Sequence, residues 1–159
     1  MPGRSAARAA FSIAAFVLFV YGSARADTPG TKPEAKALVE KAAAFIKKNG
    51  KPSGLAEITM AADRQGTLLD RDLYIFAYDF SGKVTAHGAN KQLVGKNLFD
   101  MQDTDGKYVI RDLIEAARKG SGWVDYKWSH PETKKIHQKS AYVLKIDDDL
   151  WIGCGAYSK

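Results

Sequence analysis

The sequence predicts an α+β domain in which a five-stranded antiparallel sheet is packed against a long N-terminal helix. Two observations carry this. Apolar residues recur at three- and four-residue spacing from Pro33 to Lys48 and again from Lys107 to Lys119, the pattern of helices with one buried stripe. From Asp72 onward, apart from that second helix, the ordered runs are aromatic and β-branched and are broken at short intervals by turn residues, the pattern of strands joined by hairpins. Strands paired in hairpins with the helices segregated from them give an antiparallel sheet.

The chain begins with Arg4 and Arg8, an apolar run from Ala9 to Tyr21 and the sequence Ser23-Ala24-Arg25-Ala26. The run is about a dozen residues, short of the ~20 that a spanning helix needs. Residues 1–26 therefore read as a secretory signal peptide cut after Ala26, which places the protein in the periplasm or outside the cell; an uncleaved anchor is the alternative. Removing them takes three arginines and no acid, leaving 21 basic and 18 acidic side chains, so the net charge falls from +6 to +3. The remaining charges are interspersed, which excludes a nucleic-acid footprint.

Residues 27–32 read as a loose N-terminus, and residues 33–157 as one domain. Thr31 and Glu34 form a capping box for the first helix and Asn49-Gly50 ends it. A second helix is expected from Ser53 as N-cap to about Ala62. Asp72 to Asp79 and Lys83 to His87 make a hairpin about Phe80-Ser81-Gly82. Gly88 to Gly106 is a long loop, with a helical turn expected near Asn97 to Met101. The helix at Lys107 to Lys119 ends at Gly120, and three strands follow: Gly122 to Trp128, Ile136 to Ile146 and Leu150 to Tyr157. The first helix should cover one sheet face, and the loop with the Lys107 helix the other. That second, less complete layer is where a cavity is expected. Cys154, the only cysteine, reads as a small buried hydrophobe, with a reactive thiol as the alternative.

The succession DLYIFAYDFSGKVTAHGANKQLVGKNL, DTDGKYVIRDLIEAARKGSGWVDYKW, QKSAYVLKI and WIGCGAY resembles the single Cache domain, type 2, an extracytoplasmic small-molecule sensing module of bacteria. The resemblance covers about Pro33 to Tyr157. It implies a PAS-like fold with a long N-terminal helix and a sheet that forms the ligand pocket, and in many members the binding of small organic acids such as acetate, lactate or pyruvate. The family forms the outer part of chemoreceptors and histidine kinases. This sequence ends at Lys159 with neither membrane helix nor signalling domain, so a free binding protein, or an accessory to a separate membrane receptor, is expected.

Lys139 stands where the family pattern has its K-S-x-Y lysine, and an ammonium facing a pocket is a natural partner for a carboxylate. On a regular strand Lys139 and Tyr142 point to opposite faces, so for both to reach one cavity a bulge is required near Ser140. Tyr126 and Trp128 share a face with Val124, and their phenol and indole N–H can meet a ligand while the rings wall it; Trp123 points the other way. His87 is a candidate charge-assisted donor. The expected site thus has Lys139 and His87 neutralising the carboxylate, Tyr126 and Tyr142 orienting it, and Trp128 with Phe76 or Met101 as apolar walls.

Other chemistries fit less well. Asp103, Asp105 and Gly106 suggest part of a calcium loop, but Met101 stands where a further Asp is needed and Asp112 would have to close it. A turn with an N-cap before the following helix accounts for them. His87, His130, His137 and Cys154 lack zinc-ligand spacing. Cys154 with His137 as nucleophile and base lacks an orienting acid. The sequence therefore indicates a binding domain without cofactor or catalysis, with a metal site or a small-molecule enzyme on the same fold as the alternative, and a homodimer through the first helix as an open option.

Overall fold

The computed structural model describes residues 28–158; the predicted signal peptide lies outside the described residues. The elements are α1 (Lys32–Asn49), α2 (Lys51–Met60), β1 (Leu69–Asp70), β2 (Leu73–Tyr78), β3 (Val84–His87), α3 (Val109–Arg118), β4 (Ser121–Ser129), β5 (Ile136–Lys145) and β6 (Trp151–Tyr157). The capping box forms as expected: the Thr31 side chain accepts from the Glu34 N–H while the Glu34 carboxylate reaches back to the Thr31 N–H. The buried stripe of α1 is Ala35, Leu38, Val39, Ala42 and Ile46. In the preceding segment, expected to be loose, Gly30 is buried and its N–H donates to Asp72 Oδ1 at 2.7 Å.

Ser53 does not cap α2. Gly50, at φ +84°, both ends α1 and precedes α2, and Pro52 sits in the first turn, where its missing N–H costs nothing. A 3₁₀ turn over Ala61–Asp63 then closes at Arg64.

The sheet has six strands in the order β1-β2-β6-β5-β4, with β3 also paired to β2. The strand not expected is β1, which pairs Leu69 with Tyr74 and Asp70 with Leu73 around the turn at Arg71. Two residues carry no period, so no pattern announces it. The layers form as predicted. One face packs Leu73, Ile75, Ala77, Ile152 and Cys154 under α1 and α2. The other packs Tyr74, Phe76, Tyr78, Tyr126, Trp151 and Tyr157 under α3 and the loop before it.

That loop is stitched to the sheet. Its helical turn is at Lys91–Leu93, not near Asn97, because the Asn90 side chain accepts from the Gln92 N–H and starts the turn early. Toward its end, Asp103 Oδ1 accepts from the N–H groups of Asp105 and Lys107, and Oδ2 accepts from the Lys127 N–H of β4 at 3.0 Å. Lys107 Nζ donates to the Asp125 carbonyl, and Lys127 Nζ to Asp105. Burial works against the charge on Asp103, yet the N–H donors of Lys127, Lys107 and Asp105 hold its pKa below the usual carboxylate range. Asp103 is thus a turn and clasp residue but not the cap of α3, whose N-cap is Tyr108. Asp103→Ala should lower stability by about 1–2 kcal/mol. Urea unfolding would show this as a lower midpoint at unchanged slope, and an unchanged midpoint would mean that the clasp contributes nothing.

Candidate ligand-binding site

Strand β5 decides the site. It pairs without interruption, Trp123 with Tyr142, Asp125 with Ser140 and Tyr126 with Lys139 on one side, and Tyr142 with Cys154, Ser140 with Ala156 and Lys139 with Tyr157 on the other. The bulge expected near Ser140 is not there. Lys139 and Tyr142 therefore face opposite sides of the sheet, and Tyr142 is not part of the pocket. It packs toward α1, its ring 5.4 Å from that of Trp123 and with Lys36 Nζ above it at 5.5 Å. Leu144, two residues further along β5, lies on the α1 side too.

Lys139 lies on the α3 side, 1% exposed. Two neighbours make room for it. A Cβ on Gly155 would stand 2.4 Å from Lys139 Cε, and one on Gly153 would stand 2.5 Å from the Phe76 ring. The G-C-G run of β6 thus clears one face for the lysine and the phenylalanine, while Cys154, between the glycines, fills the other. Burial pushes the Cys154 thiol up to about 12, which makes it inert.

The Lys139 ammonium donates to Tyr74 Oη at 2.7 Å and to Tyr157 Oη at 3.4 Å, and lies 4.0 Å from the centroid of the Tyr74 ring. The Tyr74 and Tyr157 hydroxyls are 3.1 Å apart, and Tyr157 gives its proton to the Ser129 carbonyl. With that proton committed, Tyr74 is the donor between the two phenols, so the chain of donation runs from Lys139 to Tyr74 to Tyr157 to Ser129. Lys139 makes no ion pair with any carboxylate among the described residues. Burial lowers its pKa to about 7, against weaker support from Cys154 and Asp72.

His87 sits across from Phe76 on the same face, its ring 5.1 Å from that of Tyr74. Its Nδ1 accepts from the N–H groups of Ala89 and Asn90 at 3.2 and 3.1 Å, so the neutral ring carries its proton on Nε2, which has no partner among the described residues. Burial, then the Lys139 charge, lowers its pKa to about 3. The expected charged donor is therefore a neutral one. Tyr126 is buried beside Trp128, the rings edge to face at 5.9 Å, and its hydroxyl has no hydrogen-bond partner among the described residues.

These groups line a cavity with Tyr74, Phe76 and Tyr78 from β2 and Val109, Ile110 and Leu113 from α3. Its free volume is about 10 Å³, near the least that holds one water. Of the residues expected here, Phe76, His87, Tyr126, Trp128 and Lys139 converge, whereas Tyr142 and the half-buried Met101 are outside the lining. Tyr74 and Tyr157 were not anticipated. Strand parity could have found Tyr74, which shares a face with Phe76, and the closing G-x-G-x-Y places Tyr157 beside the glycines.

Gly155→Ala should displace the Lys139 stem and cost about 1–3 kcal/mol by overpacking, measured by chemical unfolding; full retention would mean that the stem has room to move. The pH dependence of stability has two parts. His87 has its pKa depressed on folding, so the unfolded chain binds the extra proton between about 3 and 6.5. Stability is then lost as pH falls below 6.5, and His87→Gln should flatten that limb. Lys139 is likewise depressed, from 10.5 to about 7, so the cost of burying its charge is full below 7 and relieved as pH rises. The melting temperature should climb from pH 7 to 9 in the parent protein but not in Lys139→Met.

The sequence matches the family model Single Cache domain 2 over residues 24–159. It is 38% identical over 88 residues to the sensor histidine kinase MctS of Rhizobium johnstonii and 31% identical over 90 residues to the methyl-accepting chemotaxis protein McpP of Pseudomonas putida. Each match takes in 55% of this chain, which spans 19% and 16% of those curated relatives. Among solved structures, a methyl-accepting chemotaxis protein from Vibrio parahaemolyticus is similar with a TM-score of 0.69 and 30% identity, over 79% of this chain and 87% of the other. A Cache chemosensory domain described for carboxylic acid recognition has the same fold, with a TM-score of 0.69 and 20% identity over 80% and 92%. Among the described residues no helix is long and apolar enough to cross a membrane. With the family match spanning the whole sheet and all three helices, the chain belongs to the Single Cache domain 2 family, the extracytoplasmic sensor domains of chemoreceptors and histidine kinases.

Proposed function

We propose that this domain binds a small carboxylate outside the cytoplasm, after removal of residues 1–26, and does not turn it over. One observation carries the reading: a fully buried lysine ammonium faces neutral hydroxyls and ring faces without a counter-charge. Burying an ammonium that way is costly unless an anion completes the site. Lys139 supplies the charge, and the Nε2–H of His87 and the Tyr126 hydroxyl are donors left over for a second carboxylate oxygen. Phe76 and Trp128 with Val109, Ile110 and Leu113 supply an apolar wall for a short carbon chain.

The small volume limits the ligand and assigns the moving part. The strands that carry Lys139, Tyr74 and Tyr157 are each paired on both sides, so α3 and the loop from Gly88 to Gly106 must yield as the acid enters. That movement is what a separate receptor would read. An enzymatic reading has less support. Cys154 faces α1 whereas His137, opposite Trp128, lies on the other side of the sheet, so the two cannot act on one substrate. Recognition of carboxylic acids by a Cache domain of the same fold favours the binding reading.

A thermal-shift screen against two- to four-carbon acids, amino acids, purines and divalent metals tests it. A short monocarboxylate should raise the midpoint by mass action. Lys139→Met should abolish that rise and Tyr142→Phe should leave it intact. If no acid shifts the midpoint, or if the Lys139 variant responds like the parent, the carboxylate site is refuted; loss of the response in the Tyr142 variant would refute the face assignment.

A further inference from the structure

We infer that this site takes up its carboxylate together with up to one proton from solvent, the number rising with pH, so that the domain responds to acid and proton activity jointly and not to acid alone. The inference rests on the carboxylate reading above and goes beyond it by fixing the charge state of the free site.

Lys139 Nζ is enclosed by neutral side chains from several strands. From β2 it meets the Tyr74 hydroxyl and the faces of Tyr74 and Phe76, and from β6 the Tyr157 hydroxyl and ring. The Cys154 thiol, the other ionisable group of β6, points to the opposite face and is held protonated by burial. From β4 comes Tyr126, whose pKa burial pushes well above its ordinary value, and from β3 comes His87, kept neutral by burial and by the two N–H groups that occupy its Nδ1. Every one of these groups is uncharged at neutral pH.

Also ionisable on this side are His130 and His137, whose rings lie against that of Tyr157, and, in the turn between β1 and β2, Asp72. It makes no ion pair with Lys139. Its Oδ1 is taken by the Gly30 N–H, and its Oδ2, buried and without a hydrogen-bond partner, lies 3.7 Å from His130 Nε2. Asp72 supports the Lys139 charge only at a distance, and burial outweighs that support. The free site therefore holds a lysine that gives up its proton far more readily than one in water does.

An arriving carboxylate supplies the missing counter-charge and restores the proton. The balance is simple: a carboxylate enters as an anion, a proton passes from buffer to the neutral Lys139 amine, and the pair formed is ammonium and carboxylate. The number of protons taken up equals the fraction of Lys139 that is neutral beforehand. With a midpoint of about 7 this is roughly 0.9 at pH 8 and roughly 0.1 at pH 6. Affinity should be level below the midpoint and fall about tenfold per pH unit above it.

Calorimetry decides the matter. Acetate, lactate and pyruvate are titrated into the purified protein at pH 6 and pH 8, each in two buffers of different ionisation enthalpy. The expected result is an uptake near one proton at pH 8 and near none at pH 6, with the affinity profile retained in His87→Gln and flattened in Lys139→Arg. Binding at pH 8 without proton uptake, or a profile flattened by His87→Gln, overturns the inference while leaving the carboxylate site standing. If none of the acids binds at either pH, both fall. The proton count is made on the parent protein and does not depend on how the variants fold.

Discussion

The unbroken pairing of β5 between β4 and β6 governs everything else in this molecule. Because side chains alternate along a strand, a regular ladder assigns each residue irrevocably to one face. Lys139 and Tyr142 are three positions apart and so are separated by the whole thickness of the sheet. The same parity divides β6 into Trp151, Gly153, Gly155 and Tyr157 on the side of α3 and Ile152, Cys154 and Ala156 on the side of α1. The glycines alternate with the packed residues, so one face is solid and the other has a hollow sized for a lysine stem.

That division also separates two kinds of packing. Under α1 the side chains are aliphatic and small, and the long helix closes over them. Under α3 they are phenols, indoles and an imidazole, with one cation among them. A buried polar network contributes stability only when every member is satisfied, and this one leaves the Tyr126 hydroxyl and His87 Nε2 without partners among the described residues. The domain holds a less favourable interior on one side of its sheet, and the robust aliphatic layer on the other allows it to do so.

Much of this architecture was legible beforehand. The stripe of α1, its Thr31–Glu34 cap, the succession of hairpins and the two-layer covering follow from spacing and turn residues. Alternation within Tyr126 and Trp128 was enough to put them on the pocket side. What could not be read was anything set by contacts distant in sequence. β1 is too short to show a period. Gly50 and Pro52 outcompete Ser53 for the start of α2. A bulge at Ser140 is required only if Lys139 and Tyr142 share a cavity, and β5 stays regular there because Tyr142 packs on the α1-side core. The role of Tyr157 is not legible in the sequence because it depends on register with Lys139, and the charge of His87 is not because its Nδ1 is occupied by backbone donors three residues away or fewer.

The clasp at Asp103 has a bearing on life outside the cytoplasm. β4 is the terminal strand of the sheet, nine residues long, and a strand in that place offers its outward N–H and carbonyl groups to any other extended chain. Here the Lys127 N–H is already engaged by Asp103 and the Asp125 carbonyl by Lys107. The loop that yields on the proposed reading thereby doubles as a guard rail against strand addition at β4, and a domain held half open for a ligand would, for that interval, also be more adhesive to its own kind.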